Sequence, residues 1–231
     1  MLYPEEQAIV RRSVAKRRRE FSAGRVCARR ALARLGLTDC VLTRNPDGTT
    51  AWPPKVTGTI SHNDTWCGSA VAWQSDIAGI GLDIETVERI TTQIAKRVLT
   101  RSELVWLSGK PADETQKWSA LIFSAKEAIY KCLFPHVDTK IRYDDAEIIP
   151  VDDGISFAVK LSKNIAPQIS SFPSLSGRYL VHEGDVFTGV ILPQIKRMGE
   201  RKGLDWHYKE KVRRISNTKI NMLLTVNRLL H

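Results

Sequence analysis

Apolar residues recur with the period of a helix in two stretches near the start of the chain. Residues 4–21 carry Ile9, Val10, Val14 and Phe21 among charges, and residues 24–35 place Val26, Cys27, Ala31 and Leu35 on one face, with Gly36 as a stop. A polar loop over 43–54 precedes three runs, 56–62, 67–73 and 77–85, that read as short strands separated by Asn-Asp-Thr and Gln-Ser-Asp turn signals. They predict an antiparallel meander. The second half repeats the order. Helical period covers 101–107 and 112–133, the latter with Trp118, Leu121, Ile122, Ala125, Ile129 and Cys132 along one face, and strand-like runs follow at 146–149, 155–161, 178–182 and 186–192. Glu183-Gly184-Asp185 reads as the hairpin turn between the last two. Helices followed by antiparallel strands, twice over, predict an α+β protein of two similar halves, 1–100 and 101–193, each with helices packed on a small, mainly antiparallel sheet. A ligand site is expected in the seam between them.

Composition narrows the class. At 231 residues, 42% of them hydrophobic, the chain can bury a core without disulfide or metal support. No apolar run approaches the roughly 20 residues of a membrane span. The start, MLYPEEQAIVRR, puts acids and arginines where a secretory signal needs an apolar stretch, so a cytoplasmic location is expected. Cys27, Cys40, Cys67 and Cys132 show no C-x-x-C spacing and are expected to be reduced. The net charge of +10 is unevenly placed: residues 194–231, read as a basic C-terminal extension, hold ten Lys or Arg against three acids. Within it Trp206, His207 and Tyr208 lie among cations, a composition suited to nucleic-acid contacts, and 220–230 reads as helix-like, suited to a surface or a partner. Nothing in the body of the chain supports nucleic-acid binding as the main function.

Four short motifs carry candidate chemistry. In Ile80-Gly81-Leu82-Asp83-Ile84-Glu85 the alternation sends both carboxylates to one side of a strand, roughly 6.5–7 Å apart by strand rise. That spacing suits a shared hard cation, magnesium above all, or simply a solvated strand face. In Phe123-Ser124-Ala125-Lys126-Glu127-Ala128-Ile129-Tyr130-Lys131, Glu127 and Lys131 stand at i,i+4 on the long helix, either as a surface ion pair or as a third carboxylate and two ammonium groups converging on the strand. Gly58-Thr59-Ile60-Ser61-His62 ends a strand in a hydroxyl and an imidazole able to bond phosphate oxygens. Gly24-Arg25-Val26-Cys27-Ala28-Arg29-Arg30 opens the second predicted helix with arginines, the better bidentate partners for phosphate, or forms an ordinary basic face.

In that order GR-x-CAR-x-AL, WP-x4-GTISH, GLDIE and FSAKEAIYK resemble the 4′-phosphopantetheinyl transferases, specifically the monomeric class associated with surfactin and enterobactin synthases, over about residues 5–192. The resemblance implies two α+β halves about a pseudo-twofold axis with coenzyme A and Mg2+ between them. It implies transfer of the 4′-phosphopantetheine arm to a serine of an apo acyl or peptidyl carrier protein in nonribosomal-peptide, polyketide or siderophore synthesis, with release of adenosine 3′,5′-bisphosphate. By position, Asp83, Glu85 and Glu127 match the metal-binding acids, with Glu127 or a metal-bound water as candidate base. Lys126 and Lys131 match basic residues at the coenzyme A phosphates, and Lys131 is a candidate catalytic residue. Ser61 and His62 match the pyrophosphate pair, Arg25 and Arg29 the arginines near the 3′-phosphate and adenosine, and Glu103 an acid that some members hold near the metal water. The family's basic residue before the Trp-Pro is absent, since Asp47 and Gly48 stand there, and Arg44 is the nearest cation. A metal-dependent phosphodiesterase would share the carboxylates.

Overall fold

The computed structural model describes residues 1–172 and 175–194, and the backbone of 225–228. The first helical stretch is two helices, α1 (Pro4–Val10) and α2 (Ala15–Arg34). The periodic signal of 4–21 breaks where Ser13 N–H turns back to the Val10 carbonyl and Val14 is extended. Gly24 is therefore mid-helix, not a helix start. A Cβ there would come 3.0 Å from Ile60 Cγ2, so the glycine lets α2 close on a strand. Arg25 and Arg29 consequently lie well inside α2, away from its N-terminus. Gly36, at φ 83°, ends the helix as expected.

Strands β1 (Val56–His62), β2 (Trp66–Trp73) and β3 (Ile77–Thr86) follow. Helices α3 (Thr92–Val98), α4 (Arg101–Ser108) and α5 (Thr115–Leu133) come next. Strands β4 (Ala146–Pro150), β5 (Ser156–Leu161), β6 (Ser176–His182) and β7 (Asp185–Pro193) complete the body. The β6–β7 hairpin turns through Glu183 and Gly184, at φ 50° and 80°, between the paired His182 and Asp185. Positive φ at both positions is what a two-residue turn of this hand demands. Helix α3 was not foreseen: it is seven residues long, capped by the Thr91 hydroxyl, and too short to show a period.

The expected meander is corrected. β1 and β2 pair antiparallel, but β3 pairs along its length with β7. The result is a five-stranded antiparallel sheet, β3-β7-β6-β5-β4, beside a smaller sheet containing β1 and β2. β3 is buried on both faces from Ile77 to Ile84, which is how a strand inside two packed layers behaves. Its tie to β1 uses side chains: Leu82 N–H donates to Thr59 Oγ1 at 3.3 Å and Ile84 N–H to Ser61 Oγ at 3.2 Å. The fold class is α+β as expected, with helices packed on antiparallel sheets.

The larger core surrounds α5. Leu121, Ile122, Ala125, Ile129 and Cys132 are fully buried, as the apolar stripe predicted, and they pack with Ala78, Ile90, Ala95, Val98 and Leu99. Residues 78–99 thus share a core with the second half, across the boundary expected at 100. A smaller cluster joins α2 to β1 and β2 through Ala28, Ala31, Leu32, Leu42, Val56 and Val71. All four cysteines are free thiols. Among the described residues no helix is long and apolar enough to cross a membrane. The C-terminal segment read as helix-like over 220–230 contains a strand instead, β8 (Thr225–Arg228), antiparallel to β2. Trp206, His207 and Tyr208 lie outside the described residues.

Candidate functional site

The acids line one cleft because two glycines bring a helix onto a strand. A Cβ at Gly81 would fall 1.8 Å from the Ala128 carbonyl oxygen, and one at Gly79 would fall 2.4 Å from that of Cys132. No side chain fits between α5 and β3 there. Ascending residues on α5 match descending residues on β3, so helix and strand run in opposite senses, and the polar end of β3 lies toward Glu127. Asp83 and Glu85 alternate with buried Leu82 and Ile84 as the sequence predicted. Together with Ser61, His62, Phe123, Glu127 and Lys131 they line an open cleft of about 340 Å3 between β1, β3 and α5.

Asp83 is the centre of the polar network. Its Oδ1 accepts from Lys131 Nζ at 2.7 Å and from Ser61 Oγ at 3.0 Å. Lys131 Nζ also donates to Ser61 Oγ and to the Leu82 carbonyl, both at 3.1 Å. Glu127 is held from another side by the Tyr143 hydroxyl, 2.6 Å from Oε1. Lys131 thus pairs across the seam with Asp83 and not along its helix with Glu127. Burial pushes the Glu85 carboxyl above its ordinary range, and the negative charges of Asp83 and Glu127 add to the shift against a hydrogen bond from Thr86 N–H. Burial, then the hydrogen bond and charge of Glu127, push Tyr143 up, so the phenol stays a donor.

These residues fit a hard divalent cation. Asp83 Oδ2 is buried without a hydrogen-bond partner, a costly state for a carboxylate oxygen. Glu85 sits in the repulsion of two further acids, which a cation would relieve. The donor set is entirely carboxylate oxygen, the type magnesium prefers. Among the described residues no three His, Cys, Asp or Glu side chains are gathered closely enough to hold a metal ion as they stand, so the fit rests on the chemistry of the acids and on the unpartnered Asp83 oxygen.

The other expected site residues divide between the cleft and the core. His62 lines the cleft, half-buried, and burial lowers its pKa, with Arg17 and Lys131 acting in the same direction against Glu20 and Asp64. Lys126 is a correction. Its ammonium is buried, ion-paired with Glu103 at 2.7 Å and donating to the carbonyls of Val98 and Tyr143 at 2.9 and 2.8 Å, so all three protons are used away from the cleft. Glu103 is corrected with it. This acid caps α4 through Thr100 N–H and accepts from Ile148 N–H, each at 2.7 Å, and so fastens α4 and β4 to α5.

The arginines are likewise anchors. Arg29 grips buried Glu6 with one terminal nitrogen at 2.7 and 2.8 Å, and Glu6 also accepts from the amides of Tyr3 and Leu42. Arg25 Nε donates to the Leu42 carbonyl at 2.7 Å, and its guanidinium lies 4.2 Å from the centre of the Phe21 ring. Burial, with Arg44, Arg29 and Arg17 nearby, pushes its pKa down to about 10 despite the charge of Glu6. Arg44 approaches the same ring at 5.6 Å. Arg25 and Arg44 therefore form a cationic group around Phe21, whereas Arg29 is committed to Glu6. The sequence reading missed Tyr143, which lies beyond the end of α5 in a three-residue turn with no periodic signal, and passed over Phe123 as one letter of a motif.

Comparison with known proteins gives a consistent result. Residues 5–72 match the 4′-phosphopantetheinyl transferase N-terminal domain and residues 79–182 the 4′-phosphopantetheinyl transferase superfamily. The chain is 35% identical over 195 residues to the 4′-phosphopantetheinyl transferase Svp of Streptomyces mobaraensis, covering 83% of this chain and 79% of that one. It is 31% identical over 197 residues to the 4′-phosphopantetheinyl transferase Npt of Nocardia iowensis, covering 81% and 88%. A solved holo-(acyl-carrier-protein) synthase from Bacillus anthracis in complex with CoA (3′,5′-ADP) covers 52% of this chain and 99% of its own, at 23% identity and a TM-score of 0.43.

Proposed function

The chain belongs to the 4′-phosphopantetheinyl transferase superfamily, and we propose that it moves the 4′-phosphopantetheine arm of coenzyme A onto a serine of an apo acyl or peptidyl carrier protein. The observation that carries this reading is the cleft in which Asp83, with one oxygen bonded to Lys131 and Ser61 and the other unpartnered, stands beside Glu85 and Glu127. Asp83, Glu85 and Glu127 would hold a magnesium ion, which when bound neutralises charge on the pyrophosphate and polarises the phosphorus.

The chain's own groups supply the rest. The obstacle is electrostatic, since an alcohol must attack phosphorus already surrounded by negative oxygens. Lys131 brings an ammonium to the cleft wall, and Ser61 and His62 bring a hydroxyl and an imidazole; Lys131 and Ser61 would turn to phosphate oxygens by exchanging bonds they now make to Asp83. The serine Oγ forms a bond to phosphorus as the bond to the bridging oxygen breaks, and adenosine 3′,5′-bisphosphate leaves. The proton of the serine passes to a carboxylate oxygen, for which Glu127 is the candidate. Arg44, beside Phe21, is the candidate cation for the 3′-phosphate and adenosine end, with buried Arg25 holding the segment that carries it through the Leu42 carbonyl. The seam is completed by one chain, so a monomer suffices, and the free cysteines suit a reducing cytoplasm.

The test is direct. Purified protein incubated with coenzyme A, Mg2+ and an apo carrier domain is expected to yield the phosphopantetheine adduct on the carrier serine by mass spectrometry. Asp83→Asn is expected to lose at least roughly 100-fold in kcat while keeping its circular dichroism. Coenzyme A cleaved without an adduct would favour the phosphodiesterase reading, and near-wild-type kcat in Asp83→Asn would remove Asp83 from the mechanism.

A further inference from the structure

Glu127 receives one strong hydrogen bond, and the residue that gives it is braced from several directions. Tyr143 opens a three-residue turn, Tyr143–Asp145, between α5 and β4. At one end of that turn the Tyr143 carbonyl accepts from Lys126 Nζ at 2.8 Å, and Lys126 is itself clamped by Glu103 and the Val98 carbonyl. At the other end Asp145 accepts from Arg142 N–H at 2.9 Å and from Ser162 Oγ at 2.6 Å. The Tyr143 ring rests on Phe123, centroids 6.0 Å apart, and Phe123 forms part of the cleft wall. The buried Lys126–Glu103 pair, which sits away from the cleft, therefore props the residue that, among the described residues, reaches from outside α5 to hydrogen-bond the Glu127 carboxylate.

We propose that Tyr143 is a positioning residue for Glu127. Its hydroxyl takes Oε1 and fixes the carboxylate's orientation, leaving Oε2 as the oxygen available to the divalent ion. The inference rests on the reading of Glu127 as a metal ligand. A neutral phenol suits the task. It orients a carboxylate without cancelling the charge the metal needs, as a lysine or arginine at the same place would.

The test is direct binding of Mn2+ to the full chain without coenzyme A or carrier, with free Mn2+ measured by electron paramagnetic resonance, for wild type, Tyr143→Phe and Glu127→Gln. Titrations run at a temperature where circular dichroism shows all three folded, so a lowered melting point does not enter. Tyr143→Phe is expected to weaken Mn2+ binding by roughly 3- to 10-fold, and Glu127→Gln by more. Coenzyme A affinity measured in EDTA is expected to be unchanged in Tyr143→Phe. Wild-type Mn2+ affinity in Tyr143→Phe alongside weakened binding in Glu127→Gln would overturn the positioning role alone. Wild-type affinity in both variants would overturn the ligand assignment and the inference with it.

Discussion

Two lysines five residues apart on one helix show how far surroundings decide what a residue does. Lys131 directs its three bonds to Asp83, Ser61 and the Leu82 carbonyl at the cleft wall, whereas Lys126 directs its three to Glu103 and two carbonyls inside the core. Burial pushes Lys126 below its ordinary pKa, and Glu103 opposes the shift. His62 obeys the same rule with an observable consequence. Its pKa in the fold lies below the free value of 6.5, chiefly through burial. The unfolded chain therefore binds a proton more readily than the folded one between the two values, and stability is lost as pH falls through that window. His62→Gln is expected to flatten the fall in melting temperature between pH 7.5 and 5.5, measured without metal or coenzyme A. Parallel slopes in the variant and wild type would show that the imidazole is not protected in the fold. The sequence discloses residue types and spacing at this scale, so Asp83, Glu85, Glu127, Lys131, Ser61 and His62, which line the cleft, are all legible in its motifs. It does not disclose that Glu103 faces Lys126 or that Arg29 faces Glu6, because those partners are 23 residues apart along the chain and meet through packing alone.

Among the elements, the contact of α5 with β3 does most to build the site. Strand alternation made the shared side of Asp83 and Glu85 legible, and the 3.6-residue stripe gave the buried face of α5. What pattern could not show is that Gly79 and Gly81 lie on the acids' own side of the strand and let the helix in. Nor could it show that β3 leaves its neighbour β2 for β7, since strand partnership over a hundred residues is decided by which layer covers each face. Gly81→Ala tests the contact. The new methyl collides with the Ala128 carbonyl, which belongs to helix backbone and cannot rotate away, so α5 must lift from the strand. The expected cost is about 1–3 kcal/mol or more in urea unfolding, with a loss of transfer activity larger than partial unfolding explains. Gly189→Ala serves as the matched control, because a Cβ there meets nothing within 4 Å. Equal behaviour of the two variants would mean that close helix approach does not set the distance between Lys131 and Asp83.

For the molecule as a whole, the C-terminal strand ties the least legible part of the sequence to the site. β8 covers the edge of β2 from Trp66 to Ser69, pairing Cys67 with Asn227, and Cys67 on its other side pairs with His62 of β1. The basic extension thus contributes backbone to the smaller sheet one strand removed from the cleft, a role that a count of its cations concealed. Deleting residues 225–231 strips the hydrogen-bonding partners from that edge and leaves it open to pair with another chain. The truncated protein is expected to melt earlier and to self-associate on light scattering. Because β3, α5 and β7 keep their own partners, kcat in the monomeric fraction is expected to stay within roughly twofold of the full chain. The KM for coenzyme A, which depends on β1 holding Ser61 and His62 in place, is expected to rise by a few-fold. A truncated chain that stays monomeric, melts like the full one and binds coenzyme A equally well would show that β8 neither shields β2 nor steadies the cleft wall.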